Sequence, residues 1–264
     1  MESKNTALNG VKLFVLDMDG TTYLGNKPIE GAFDFIRKVE TSPDCDFIFF
    51  TNNASRVPSV YVKKLAALGL DVPEKKIITA GDVCAEYLAE HYPGARVYLN
   101  GTALLEENWR DRGLKLVQDD PDVCVQSFDT TLTYEKLERI CTNIRSGVPF
   151  FATHMDINCP TENGFIPDCG AMCALITAST GVKPRYFGKP WKETIEMITK
   201  MTGYQADEMA FVGDRLYTDV ATGINNGATG FLVLTGESTL QTVAESEIQP
   251  TCVFESLGEM SQYL

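Results

Sequence analysis

At 264 residues the chain exceeds the common single-domain size, and a compact fold of this length buries about 70–75% of the surface its unfolded chain exposes, so one core with a sizeable insert or two domains is expected. Its 44% hydrophobic and 22% charged content is that of a globular protein rather than a disordered or fibrous one. A formal charge of −13, from 36 acidic against 23 basic residues, excludes nucleic acid as an expected partner; the lack of an apolar run near 18 residues and of a leader pattern in MESKNTALNG excludes a membrane and points to the cytoplasm.

In chain order, short apolar runs rich in Val, Ile and Phe alternate with segments of helical period, the signature of βαβ units and a parallel sheet. KLFVL (12–16) reads as the first strand, followed by a helix with Ile29, Phe33, Ile36 and Val39 on one face. DFIFF (46–50) is the second strand, and an amphipathic helix runs from after Ser55 to Leu68, with Gly69 as its stop. KKIITA (75–80) supplies another strand. Over 82–180, helices at 82–91, 101–112, 133–146 and 170–180 interleave with strands near 95–99, 122–127 and 149–153, which reads as a second α/β domain. The chain then returns to its opening style with RYF (185–187), a helix from Trp191 to Met201, MAFV (209–212), a helix from Tyr217 to Asn226, and TGFLVL (229–234). No Pro/Gly-rich linker separates the parts, so an insertion of 82–180 between the two halves of one core, 1–81 and 181–264, is expected. The eight cysteines (45, 84, 124, 141, 159, 169, 173 and 252) form no CxxC pair and read as reduced thiols, mostly in apolar segments.

Four short polar groups each follow a strand-like run: Asp17-Met18-Asp19-Gly20, Thr51-Asn52-Asn53, Gly188-Lys189-Pro190 and Gly213-Asp214-Arg215. Ligands of open parallel sheets bind outside the carboxyl ends of the strands, so these groups are expected to converge. Asp17, Asp19 and Asp214 together would repel a bare anion. A hard divalent cation resolves the conflict, because Mg²⁺ takes oxygen ligands from a few carboxylates plus a substrate phosphate. Lys189, Thr51 and Asn52 would hold the remaining phosphate oxygens. Asp17 and Asp19, two apart on an extended chain, share a side and need different tasks. Asp17 suits in-line attack on phosphorus to give an aspartyl-phosphate, and Asp19 suits proton transfer to the leaving alkoxide and from water. Gly20 permits the tight turn there. Taken singly, Asp17 could be a helix N-cap, Asp219 a first-turn acid suited to the helix dipole, and Lys189 a surface lysine before a Pro at N1.

The strings DMDGT, TNN, GKP and GDRLYTD, in this order, resemble the four motifs of the haloacid dehalogenase superfamily. More narrowly, DGTTYLGNKPIEGA, TNNASR and NGFIPDCGAMCALITASTGVKPRYFGKP resemble its p-nitrophenyl phosphatase, or NagD-like, branch. The resemblance covers nearly the whole chain. It implies an α/β fold with a Rossmann-like parallel-sheet core and a large inserted α/β cap of the C2 type, and Mg²⁺-dependent hydrolysis of small organic phosphate monoesters. Carried over by position, Asp17 is nucleophile and metal ligand. Asp19 is the acid/base, with its backbone carbonyl on the metal. Thr51, Asn52 and Gly20 bind phosphate, Lys189 secures phosphoryl group and nucleophile, Asp214 completes the metal site, and Asp219 stands behind it. In the cap, Asp156, Asn158 and Cys159 of THMDINCP are expected at the substrate, a small phosphorylated metabolite such as a nucleoside monophosphate, a sugar phosphate or p-nitrophenyl phosphate. Branch members also imply a homodimer through the cap.

Two alternatives stay open at this stage, a phosphotransferase or mutase on the same core and a catalytically silent phospho-ligand sensor. The only histidines, His91 and His154, are too few for a His-rich zinc site or Ser-His-Asp catalysis, and His91 reads as surface. No G-x-x-x-x-G-K-[ST] loop occurs. The sequons at Asn53 and Asn100 are read as chance matches.

Overall fold

The computed structural model describes residues 3–161 and 164–264. Met1, Glu2, Glu162 and Asn163 lie outside the described residues, and with them the start of MESKNTALNG and the first residue of the NGFIPDC stretch. The chain divides into two compact units, one of Met1–Thr51, Val62–Ile78 and Lys189–Leu264, the other of Asn52–Tyr61 and Thr79–Gly188.

The first unit is built on a sheet with strand order Cys252–Phe254, Thr229–Val233, Met209–Gly213, Leu13–Leu16, Asp46–Thr51 and Ile77–Thr79. Leu13–Leu16 sits near its middle and pairs in parallel on both sides, Leu13 opposite Met209 and Asp46, Leu16 opposite Val212 and Phe49. All four of its side chains are buried, which is why it reads as an unbroken apolar run rather than an alternating one. The helix Ala32–Thr41 buries Phe35, Ile36 and Val39, and Phe35 meets the Phe14 ring edge-on with centroids 5.3 Å apart. Its start is fixed by Gly31, whose φ of 74° and approach to Gly258 leave no room for a Cβ; Ile29 therefore precedes the helix rather than joining its face. The helix Pro58–Ala67 ends as expected at Gly69, with φ 93° and the Leu70 N–H donating to Leu65 O at 2.9 Å.

The second unit carries a parallel five-stranded sheet in the order Arg185–Tyr186, Phe150–Ala152, Val123–Gln126, Arg96–Asn100 and Lys115–Leu116. The helices Tyr134–Arg145 and Cys169–Thr180 pack Ile140, Ile144, Cys173 and Ile176 against Tyr98, Cys124 and Phe150. None of the eight cysteines, all of them among the described residues, forms a disulfide.

Three features depart from the sequence reading. The strand at 185–186 belongs to the sheet of the second unit, so Lys189 does not follow a strand of the core sheet. An antiparallel ribbon, Asn158–Thr161 with Gly164–Pro167, occupies a stretch to which the sequence reading assigns no element. The segment expected as one helix over 217–226 is a π-helical turn at Leu216–Val220 followed by the α-helix Ala221–Asn225. No helix among the described residues is long and apolar enough to cross a membrane.

Candidate active site

In the first unit, Asp17 and Asp214 directly follow, or end, neighbouring parallel strands, Leu13–Leu16 and Met209–Gly213, and Thr51 closes the strand on the other side. Asp17 takes up the ladder itself, its N–H donating to Val212 O at 2.9 Å. The π-helical turn brings Asp219 back toward the strand end, where its Oδ2 accepts from the Arg215 N–H at 3.0 Å, the kind of place where such turns cluster. Asp17, Asp214 and Asp219 each offer a carboxylate oxygen within 4.8 Å of the others. Glycines make this possible. A Cβ on Gly213 would lie 2.1 Å from Asp219 Cγ, and one on Gly236 would lie 2.0 Å from Asp214 Oδ2. Gly20, at φ 85°, leaves Asp214 room in the same way.

Lys189 is buried among these acids, its Nζ donating to Asp17 Oδ1 and Asp219 Oδ1, both at 2.5 Å, and to Phe50 O at 3.2 Å. Burial alone would favour its neutral amine, but the charges of Asp17 and Asp219 outweigh it and raise the pKa, so the ammonium persists. Burial pushes Asp17 well above the carboxylate range, against the Lys189 charge and with help from Asp219 and Asp214. Asp214 is pushed up to about 6, by burial first and then by Asp219. Its Oδ2 accepts from the Glu237 N–H at 2.7 Å, whereas its Oδ1 is buried with no hydrogen-bond partner among the described residues. Close buried carboxylates with strained ionisation and an orphaned oxygen are what a hard divalent cation would satisfy, so the residues present fit Mg²⁺.

Asp19 stands apart from that triad. Its side chain is 39% exposed, and its Oδ2 accepts from Tyr23 Oη at 3.2 Å. Sequence reasoning missed Tyr23, and it missed the residues after the strand Thr229–Val233. There Thr235 Oγ1 donates to Gly20 O at 2.6 Å, and Glu237 pairs through Oε2 with Arg215 Nε at 2.9 Å. The signal was available, since Thr235 to Ser238 form one more short polar string after a strand-like run.

In the second unit, Asn52 Nδ2 donates to Asp156 Oδ2 at 3.3 Å, so this carboxamide faces an acid of its own unit. Cys159 Sγ accepts from Asn53 Nδ2 at 3.8 Å, and Asn158 is exposed on the ribbon. His154 is fully buried, with Nε2 2.8 Å from Asp168 Oδ1 and Nδ1 3.0 Å from Thr153 Oγ1. Burial would lower its pKa, but Asp168, Cys169 and Asp156 raise it to about 9. His154, Asp156 and Asp168 also lie within 4.8 Å of one another; with both ring nitrogens engaged and the ring charged, they make a salt-bridged network rather than a metal site. His91 is exposed, as its sequence context suggests.

Comparison with known proteins follows the same lines. Residues 14–115 match the haloacid dehalogenase-like hydrolase family, and residues 186–260 match a HAD-hydrolase-like family. An acid sugar phosphatase of Staphylococcus aureus is 34% identical over 249 residues, 94% of this chain and 96% of that protein. The structure of a 4-nitrophenylphosphatase from Thermotoga maritima superposes with a TM-score of 0.93 at 41% identity, over 97% of this chain and 98% of that one. A glycerol phosphate phosphatase from Mycobacterium tuberculosis, in complex with calcium, superposes with a TM-score of 0.89 at 30% identity, over 99% of this chain and 78% of that one.

Proposed function

Because the chain belongs to the haloacid dehalogenase-like hydrolases, in their NagD-like branch, we propose that it hydrolyses small organic phosphate monoesters through an aspartyl-phosphate on Asp17, with Mg²⁺ as cofactor. The observation that carries this reading is the bridge made by Lys189 between Asp17 and Asp219, beside an Asp214 oxygen that has no partner among the described residues. A binding-only protein gains nothing from gathering three carboxylates, two of them buried and Asp17 half-buried, beside one ammonium, because their repulsion costs affinity. The relative with calcium bound adds support for a hard divalent cation.

Lys189 fixes one oxygen of Asp17 and thereby the direction of the other, which attacks phosphorus in line. The new Oδ–P bond forms as the P–O bond to the leaving group breaks, and Asp19 gives that oxygen a proton. Water then attacks phosphorus, Asp19 takes its proton back, and the Asp17 carboxylate departs from free phosphate. Thr51 would supply a donor to the phosphoryl oxygens and Lys189, its ammonium held by Asp17, Phe50 O and Asp219, would supply charge; Asn52 is assigned to phosphate from its motif position, whereas Gly20, its N–H donating to Tyr23 O, shapes the turn beside them. Mg²⁺ on Asp17, Asp214 and the Asp19 carbonyl would neutralise charge that develops on the transferring group.

Assaying the protein against p-nitrophenyl phosphate and a panel of sugar, polyol and nucleoside phosphates, with Mg²⁺ and with chelator, tests the reading. Phosphate release that needs Mg²⁺ and vanishes in Asp17→Asn is expected. Full turnover by Asp17→Asn, or transfer of the phosphoryl group to a second hydroxyl in place of release, would overturn it.

A further inference from the structure

Asp19 is gripped by two residues that none of the four motifs assigns. Tyr23 Oη donates to Asp19 Oδ2 at 3.2 Å, and Lys64 Nζ lies 3.7 Å from Asp19 Oδ1. The three side chains close into a triangle, since Lys64 Nζ also sits over the Tyr23 ring, 3.7 Å from its centroid. Each corner is anchored by different parts of the chain. Tyr23 is fully buried, with its hydroxyl also 3.6 Å from Met18 Sδ, and the turn that carries it is closed by Gly20 N–H to Tyr23 O at 2.8 Å. Lys64 comes from the helix Pro58–Ala67, and its side chain is only 20% exposed.

We propose that Tyr23 and Lys64 are positioning residues that hold both carboxylate oxygens of Asp19 in the orientation from which it passes a proton to the leaving group. The inference rests on the phosphatase reading above and adds two residues to it. Asp19 is more exposed than Asp17, Asp214 and Asp219, so water competes for its oxygens, and a carboxylate with one oxygen on a phenol and the other toward an ammonium loses rotational freedom that a lone surface acid keeps. A misaimed acid costs most where the departing alkoxide depends on its proton, and least where the leaving group is stable as an anion.

The test compares kcat/KM for p-nitrophenyl phosphate, whose phenolate leaves without help, with kcat/KM for glycerol phosphate. This constant covers the steps up to departure of the alcohol and omits the later attack of water. Lys64→Met and Tyr23→Phe keep helix propensity and ring packing, and unchanged melting temperatures verify the fold. The loss on glycerol phosphate is expected to exceed that on p-nitrophenyl phosphate by about tenfold or more, and Lys64→Arg is expected to restore the ratio. Equal losses on both substrates, or none, would overturn the proposal. If wild-type activity instead survives Asp17→Asn, the phosphatase reading fails separately. The grip itself is read without substrate. In ¹⁵N-lysine NMR the Lys64 ammonium signal is expected to shift and exchange faster in Asp19→Asn and Tyr23→Phe; a signal unmoved by both variants would show that no grip exists.

Discussion

Lys189 is the residue on which the charge balance of the site depends. Replacing it by Met would leave Asp17 and Asp219 buried without their cation, and removing one partner of a buried ion pair costs about 3–5 kcal/mol. Lys189→Met is therefore expected to lose phosphate release and to melt well below the wild type, with added Mg²⁺ recovering more stability in the variant than in the parent; equal recovery would argue against a shared carboxylate cluster. His154 gives a separate handle. Its folded pKa of about 9 lies above the unfolded value of 6.5, so the stability it contributes is present in full below pH 6.5 and is lost as pH rises through 9. The ceiling on that contribution is about 3 kcal/mol. Urea denaturation at pH 6 and pH 9.5 should show the decline in the wild type and its absence in His154→Gln. At this scale the gathering of Asp17, Lys189 and Asp214 was legible, because each sits in a short polar string after an apolar run. The sequence did not reveal Tyr23, Lys64 or the network of His154 with Asp168, because no spacing rule states which distant side chains will fold onto an acid.

Among the elements, the strand Met209–Gly213 and the π-helical turn Leu216–Val220 act as a pair that aims Asp219. Gly213 is the point where they touch, and a methyl there would displace the Asp219 carboxylate that takes the Lys189 proton donor. Gly213→Ala is expected to lower kcat by about tenfold or more through this shift, with the sheet intact by circular dichroism; unimpaired turnover would show that the aim of Asp219 does not matter. The strands LFVL, DFIFF and MAFV were legible because parallel strands buried on both faces are continuous apolar runs. RYF has the same look, yet its strand pairs with Phe150–Ala152 in the second unit, since a two-residue pairing carries no mark of its partner. The ribbon around Asn158 and Phe165 was illegible for another reason: both of its faces are largely exposed, so no alternation is imposed on its sequence.

For the molecule as a whole, family and core fold were legible because several motifs occur in one order over nearly all of the chain. The points where the chain passes from one compact unit to the other, at 51/52, 61/62, 78/79 and 188/189, carry no linker composition and could not be seen in advance. Binding of a divalent cation links the site to global stability, because a ligand held at a hundred times its Kd adds about 2.7 kcal/mol to the folded state. Mg²⁺ is expected to raise the melting temperature of the wild type and to do so far less in Asp214→Asn; an equal shift in both would place the ion elsewhere. The central claim, attack by Asp17 on phosphorus, is tested most directly by rapid acid quench during turnover of a phosphoryl-labelled substrate, followed by peptide mapping. The account predicts transient label on the peptide that contains Asp17, removed by hydroxylamine and absent from Asp17→Asn. A burst of product with no label on that peptide, or label on another residue, would contradict it.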